Sequence, residues 1–216
     1  MTLGANMNFI QIVWIAIPAF SCLLYGLLFY LRRTELGLVQ RWFSAFLLAA
    51  AFWSMGSVLL HADPGFVDAV WLARLLILGN FALPLTIFGF TVHFLSLRRQ
   101  QALIAVGIVL YLFIGILNLA GYVVVDTEVN QGLVRNEYGW GIYVASVYWS
   151  FYIYSSMFFL WRERRRTQNW LFRQRLTYLL GVLALLLGGN LLNLSEALHP
   201  YPADLFVAAL AATLIS

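Results

Sequence analysis

Long apolar runs separated by short polar gaps set the architecture of this chain. They fall at Phe9–Leu31, Trp42–Leu60, Val70–Leu97, Ala102–Ala120, Ile142–Trp161 and Leu176–Leu198, and a seventh starts at Leu205 and reaches Ser216. A hydrocarbon core of about 30 Å takes roughly 20 apolar residues in a helix. Each full run therefore predicts one crossing, and the seventh covers about half of one. From that shortfall the seventh helix is expected to be truncated at Ser216, with the chain continuing into the cytoplasm. One gap is longer than the others. Tyr122–Gly141 reads as a β-hairpin, with strands Tyr122–Val125 and Leu133–Asn136 and turn residues Asn130, Gln131 and Gly132. The predicted fold is an all-α membrane protein, a seven-transmembrane-helix bundle with this short hairpin between helices four and five, in one domain over residues 1–216.

Charge gives the bundle a direction. All thirteen basic residues are Arg, and eleven of them sit in alternate gaps: Arg32, Arg33 and Arg41; Arg98 and Arg99; Arg162, Arg164, Arg165, Arg166, Arg173 and Arg175. The remaining gaps hold Asp63, Asp68, Asp126, Glu128, Glu137, Glu196 and Asp204, with Arg135 as their sole base. Short cytoplasmic loops retain positive charge, so the N-terminus is expected outside, the C-terminus inside, and the hairpin on the outer face of the membrane. Trp42, Trp161 and Trp170 would then flank inner ends, and Trp71, Tyr138 and Trp140 outer ones. Composition fits, at 62% hydrophobic and 10% charged, with a mean hydropathy of +0.84. The net charge of +4 is no nucleic-acid signal, because the arginines lie in short loops beside hydrocarbon. Their expected partners are anionic inner-leaflet lipids.

Ionisable and polar groups within the runs are the candidates for function. Arg74, one turn into the third run, either contacts an anion in an outer cavity, reaches the headgroups, or pairs with Asp68. On the same helix Asn80, Pro84 and Thr91 share a face, which suits hydrogen bonds between helices more than ligand contact. His93 has no histidine at matching depth, which disfavours haem, and a buried, hydrogen-bonded role is expected. Tyr143, Ser146, Ser150 and Tyr154 form a polar stripe along the fifth run, for packing or for an amphiphilic ligand. In the sixth run Gly188 and Gly189 suggest a close crossing, and Asn190 and Asn193 are expected to face protein. The single Cys22 forms no intramolecular disulfide. No phosphate loop, metal-ligand spacing, nucleophile–base pair or Schiff-base lysine is visible, so neither catalytic residues nor a cofactor nor a metal is expected in the segment.

Four stretches carry a resemblance: VWLARLLILGNFALPLTIFGFTVHFL (Val70–Leu95), GLVRNEYGWGIYVASVYW (Gly132–Trp149), WRERRRTQNWLFRQRLTYLLG (Trp161–Gly181) and GGNLLNLSEALHPYPADLFVAALAATLIS (Gly188–Ser216). Together they resemble the N-terminal seven-helix membrane sensor region of bacterial histidine kinases. The resemblance implies a non-catalytic input module joined to a cytoplasmic kinase or diguanylate cyclase output in the same chain, and a homodimer if the output is a kinase. A hydrophobic or amphiphilic ligand, or a partner protein, is expected among the outer helix ends, with Arg74, Tyr138 and Trp140 as binding candidates. Asn80 and Asn190 would support that site through interhelical hydrogen bonds. The alternative is an accessory or structural subunit of a larger membrane complex. A transporter ranks below both, because only Arg74 and His93 could serve as coupled charges.

Overall fold

A computed structural model describes residues 37–62, 68–130 and 133–193, together with Leu23 and Leu27. The first predicted crossing, apart from Leu23 and Leu27, and the whole of the seventh lie outside the described residues. The elements run α1 (Leu38–Ala62), α2 (Ala69–Phe94), a 3-10 turn (Arg98–Gln100), α3 (Gln101–Leu119), β1 (Val124–Asn130), β2 (Leu133–Tyr138), α4 (Gly141–Arg166) and α5 (Trp170–Asn193). Among the described residues two helical stretches, Ala69–Phe94 and Arg98–Leu119, are long and apolar enough to cross a membrane.

The hub is α2, which packs against α1, α3, α4 and β1. Its sequence is apolar all round, as a helix surrounded by others requires. Leu76, Ile77, Phe81, Leu83, Leu85, Phe88 and Val92 are all buried. Asp68 starts the helix, its Oδ1 accepting from the amides of Val70 at 2.9 Å and Trp71 at 3.4 Å. The helix ends without a glycine. Ser96 takes a left-handed φ of 54°, and the Leu97 amide turns back to the Val92 carbonyl at 2.8 Å.

Close backbone approach fixes the α1–α2 pair. A Cβ added to Gly79 would lie 2.9 Å from the Trp53 amide nitrogen and 3.0 Å from the Ala49 carbonyl oxygen. Small residues at such crossings let apolar helices gain dispersion contacts that larger side chains would block. Near the other end of α2, Trp42 stacks on His93 with ring centroids 6.1 Å apart. The His93 Nδ1 lies 2.8 Å from the Gly89 carbonyl, one turn back.

The helix α3 is of a different kind. Its buried residues, Ile104, Gly107, Ile114 and Asn118, form one narrow stripe, while Val106, Val109, Leu112, Phe113 and Ile116 point outward. Apolar on both sides, it is pinned to its neighbour by the Tyr152 hydroxyl, which donates to the Leu103 carbonyl at 2.8 Å.

The hairpin forms where expected, between α3 and α4, but its first strand extends to Asn130 instead of Val125. Polar Asp126–Asn130 pairs across the ladder, with Thr127 opposite Asn136 and Glu128 opposite Arg135. Asn130, expected in the turn, pairs with Leu133, and Gln131 and Gly132 lie outside the described residues. The register breaks between Val124 and Asp126.

Candidate functional site at the hairpin end

Two opposite ends of the bundle differ in chemistry. The hairpin lies against the first turns of α2, and β2 reaches α1. At the far end Phe94, closing α2, packs on Phe172 near the start of α5, at 5.7 Å between centroids. That far end therefore gathers Arg98 and Arg99, the arginines closing α4, and those opening α5.

Arg74 organises the hairpin end. Its Nε donates to the Val124 carbonyl at 2.9 Å and an Nη donates to the Val125 carbonyl at 3.0 Å. Both acceptors sit at the start of β1, where the register shift falls and Val125 has no partner residue across the ladder. Gly121 makes room for the guanidinium. Its φ of +86° is left-handed, and an added Cβ would come within 2.8 Å of an Arg74 Nη. From α3, the Asn118 Nδ2 donates to the Arg74 carbonyl at 2.6 Å. Asn118 is fully buried. Its Oδ1 has no hydrogen-bond partner. One side chain thus ties β1 to α2, and a second ties α3 to the same residue.

The other two binding candidates share this corner. Tyr138 stands opposite Val124 in the ladder. Trp140 packs against Tyr122 with centroids 5.7 Å apart. Tyr122, Tyr138, Trp140 and Trp71 are each about half exposed, and the Arg74 guanidinium carbon lies 5.6 Å from the Trp71 ring centroid. Beneath them Val123 and Val124 are fully buried. The corner offers aromatic faces and a guanidinium edge, which suits recognition of an amphiphile with a polar head. Among the described residues no three His, Cys, Asp or Glu side chains could hold a metal ion.

The remaining candidates are spread through the bundle. Asn80 is half-buried and Pro84 is buried, both on α2. Beside Pro84 the Thr86 hydroxyl turns back onto its own helix, donating to the Leu83 carbonyl at 2.9 Å and contacting that of Ala82 at 3.0 Å. Ser146 and Ser150 are half-buried, while Tyr143 at 74% and Tyr154 at 54% exposure turn the edges of that stripe outward. The polar side chains facing the core of α4 are instead Tyr148, Tyr152 and Ser156. Asn190 and Asn193 fall in the last turn of α5, and their side chains lie outside the described residues. Sequence reading missed Asn118, Tyr152 and Tyr148. Each lies in an otherwise apolar helical run, and a lone amide or phenol there is the signal that could have found them.

A bundle of long helices, apolar on its outside and split into an aromatic hairpin end and an arginine end, belongs to the class of membrane proteins. Residues 14–216 match the family described as the N-terminal 7TM region of histidine kinase, and the chain belongs to that family. No curated protein and no solved structure matches the chain.

Proposed function

We propose that the chain is a seven-crossing signal-input domain of the bacterial inner membrane, with its N-terminus and hairpin outside and its arginine end in the cytoplasm. Alternation of the charged gaps supports this orientation. A hydrophobic or amphiphilic ligand binds at the corner formed by Arg74, Tyr138 and Trp140. Binding favours one of two helix packings, which the seventh helix passes to a cytoplasmic kinase-type output in the same chain, working as a homodimer. Such a shift requires that the ligand bind one packing more tightly than the other.

One observation carries the reading: the guanidinium of Arg74 joins the exposed hairpin to the most enclosed of the described helices. A displacement of β1 is thereby felt by α2, and through α2 by α1, α3 and α4. The test is autophosphorylation of the full-length protein in lipid vesicles, comparing the native hairpin with one cut to a tight turn between Asp126 and Glu137. A changed basal rate or a lost response supports the reading. Identical rates and responses would remove the hairpin from any sensing role.

A further inference from the structure

At the arginine end three guanidiniums are held by groups other than carboxylates. The Arg165 guanidinium carbon lies 4.1 Å from the Trp161 ring centroid, and that of Arg162 lies 5.4 Å from the Phe159 centroid. Arg164 donates from Nε to the Thr177 hydroxyl at 2.8 Å. Among the described residues none of Arg98, Arg99, Arg162, Arg164, Arg165, Arg166, Arg173 and Arg175 has a carboxylate at ion-pairing distance. Glu163 is the one acid within this stretch of α4 and α5.

Stacking occupies the face of a guanidinium and leaves its in-plane N–H edge open for an anion. Arg162, Arg165 and Arg166 stand three and four residues apart, so they share one side of the last turns of α4. The Arg162 Nε is buried and lacks a hydrogen-bond partner. A charged donor shielded from water and left unpaired is costly. An oxyanion on the open in-plane edges of these neighbouring guanidiniums would bring the compensating charge close to it, and Arg–phosphate pairing is commonly bidentate.

We propose that the Arg162–Arg165 side of α4 is a seat for the phosphate of an acidic phospholipid. Depth selects lipid over a soluble anion. Trp161 and Trp170 are exposed beside the arginines, and Phe158 is exposed one turn deeper. Aromatic rings with one apolar and one wet edge belong at the headgroup boundary. The inference rests on the membrane placement given above and is independent of what the hairpin senses.

The test titrates purified protein in neutral detergent with phosphatidylglycerol, phosphatidylcholine or inorganic phosphate, counting retained lipid by native mass spectrometry. Phosphatidylglycerol is expected to bind in preference to phosphatidylcholine, and inorganic phosphate at equal concentration to leave it in place. Arg162→Gln and Arg165→Gln should each weaken phosphatidylglycerol binding about fivefold. Arg135→Gln, on the hairpin, should change nothing. Arg165→Lys keeps the charge but loses the stacked edge, so it too should bind more weakly. Arg165 is exposed, so its two variants serve even if Arg162→Gln does not fold. Native-like binding by both Arg165 variants would overturn the seat, and displacement by inorganic phosphate would overturn its assignment to lipid. Neither outcome touches the hairpin reading, which the phosphorylation test addresses separately.

Discussion

Two tyrosines one turn apart on α4 face the same core and should respond differently to losing a hydroxyl. Tyr152 donates to the Leu103 carbonyl at 2.8 Å, whereas the buried Tyr148 hydroxyl has no partner. A net hydrogen bond contributes about 1 kcal/mol, while an unpaired buried polar group costs about 1–3 kcal/mol. Tyr152→Phe should therefore lower stability by about 1 kcal/mol. Tyr148→Phe should leave it unchanged or raise it. Equilibrium unfolding in mixed micelles compares the two directly. Arg74→Ala removes two charge-assisted bonds and should cost about 2–4 kcal/mol in the same assay. Sequence alone gave Arg74 three possible partners, none of them backbone. Its actual acceptors, the Val124 and Val125 carbonyls, lie some fifty residues on, and no residue pattern announces a carbonyl.

Helix contacts give a matched pair of glycine predictions. Gly79→Ala drives a methyl against the α1 backbone at Trp53 and Ala49, where nothing can rotate away, and overpacking of this kind costs about 1–3 kcal/mol. At Gly181 an added Cβ meets nothing within 4 Å. Gly181→Ala should instead stabilise α5 by about 0.5–1 kcal/mol, from helix propensity alone. Unfolding of the two variants side by side checks the contrast. The apolar runs located these helices well but misjudged some ends. Helix α5 starts at Trp170, six residues before the apolar run at Leu176, with the Asn169 Oδ1 accepting from the Phe172 amide at 3.2 Å. Arginine is a good helix former, so α4 likewise runs beyond Trp161 to Arg166. Hydropathy marks where a helix leaves hydrocarbon, not where it stops. The stripe of Tyr143, Ser146, Ser150 and Tyr154 teaches a related point. Helical period groups residues onto a face, but with apolar surroundings on both sides, polarity does not say which way that face turns.

Among the described helices the hairpin stands at one end and Arg98, Arg99 and the α4–α5 arginines at the other, in line with the alternation of those arginine gaps along the chain. That much needed only the chain order and the antiparallel return of successive helices. The proposed sidedness makes a further prediction. In sealed, right-side-out vesicles a membrane-impermeant reagent should label a cysteine placed at Glu128 and fail to label one at Gln168 until the membrane is permeabilised. The reverse pattern would invert the topology. Arg74 holds the hairpin by its backbone. Its grip is on main-chain oxygens, which every amino acid supplies alike. The exposed side chains of β1 and β2 can therefore diversify without loosening the mount, while buried Val124 stays fixed by packing. Related chains can rewrite the exposed hairpin surface while inheriting the same mechanical joint, much as interchangeable tips share one handle.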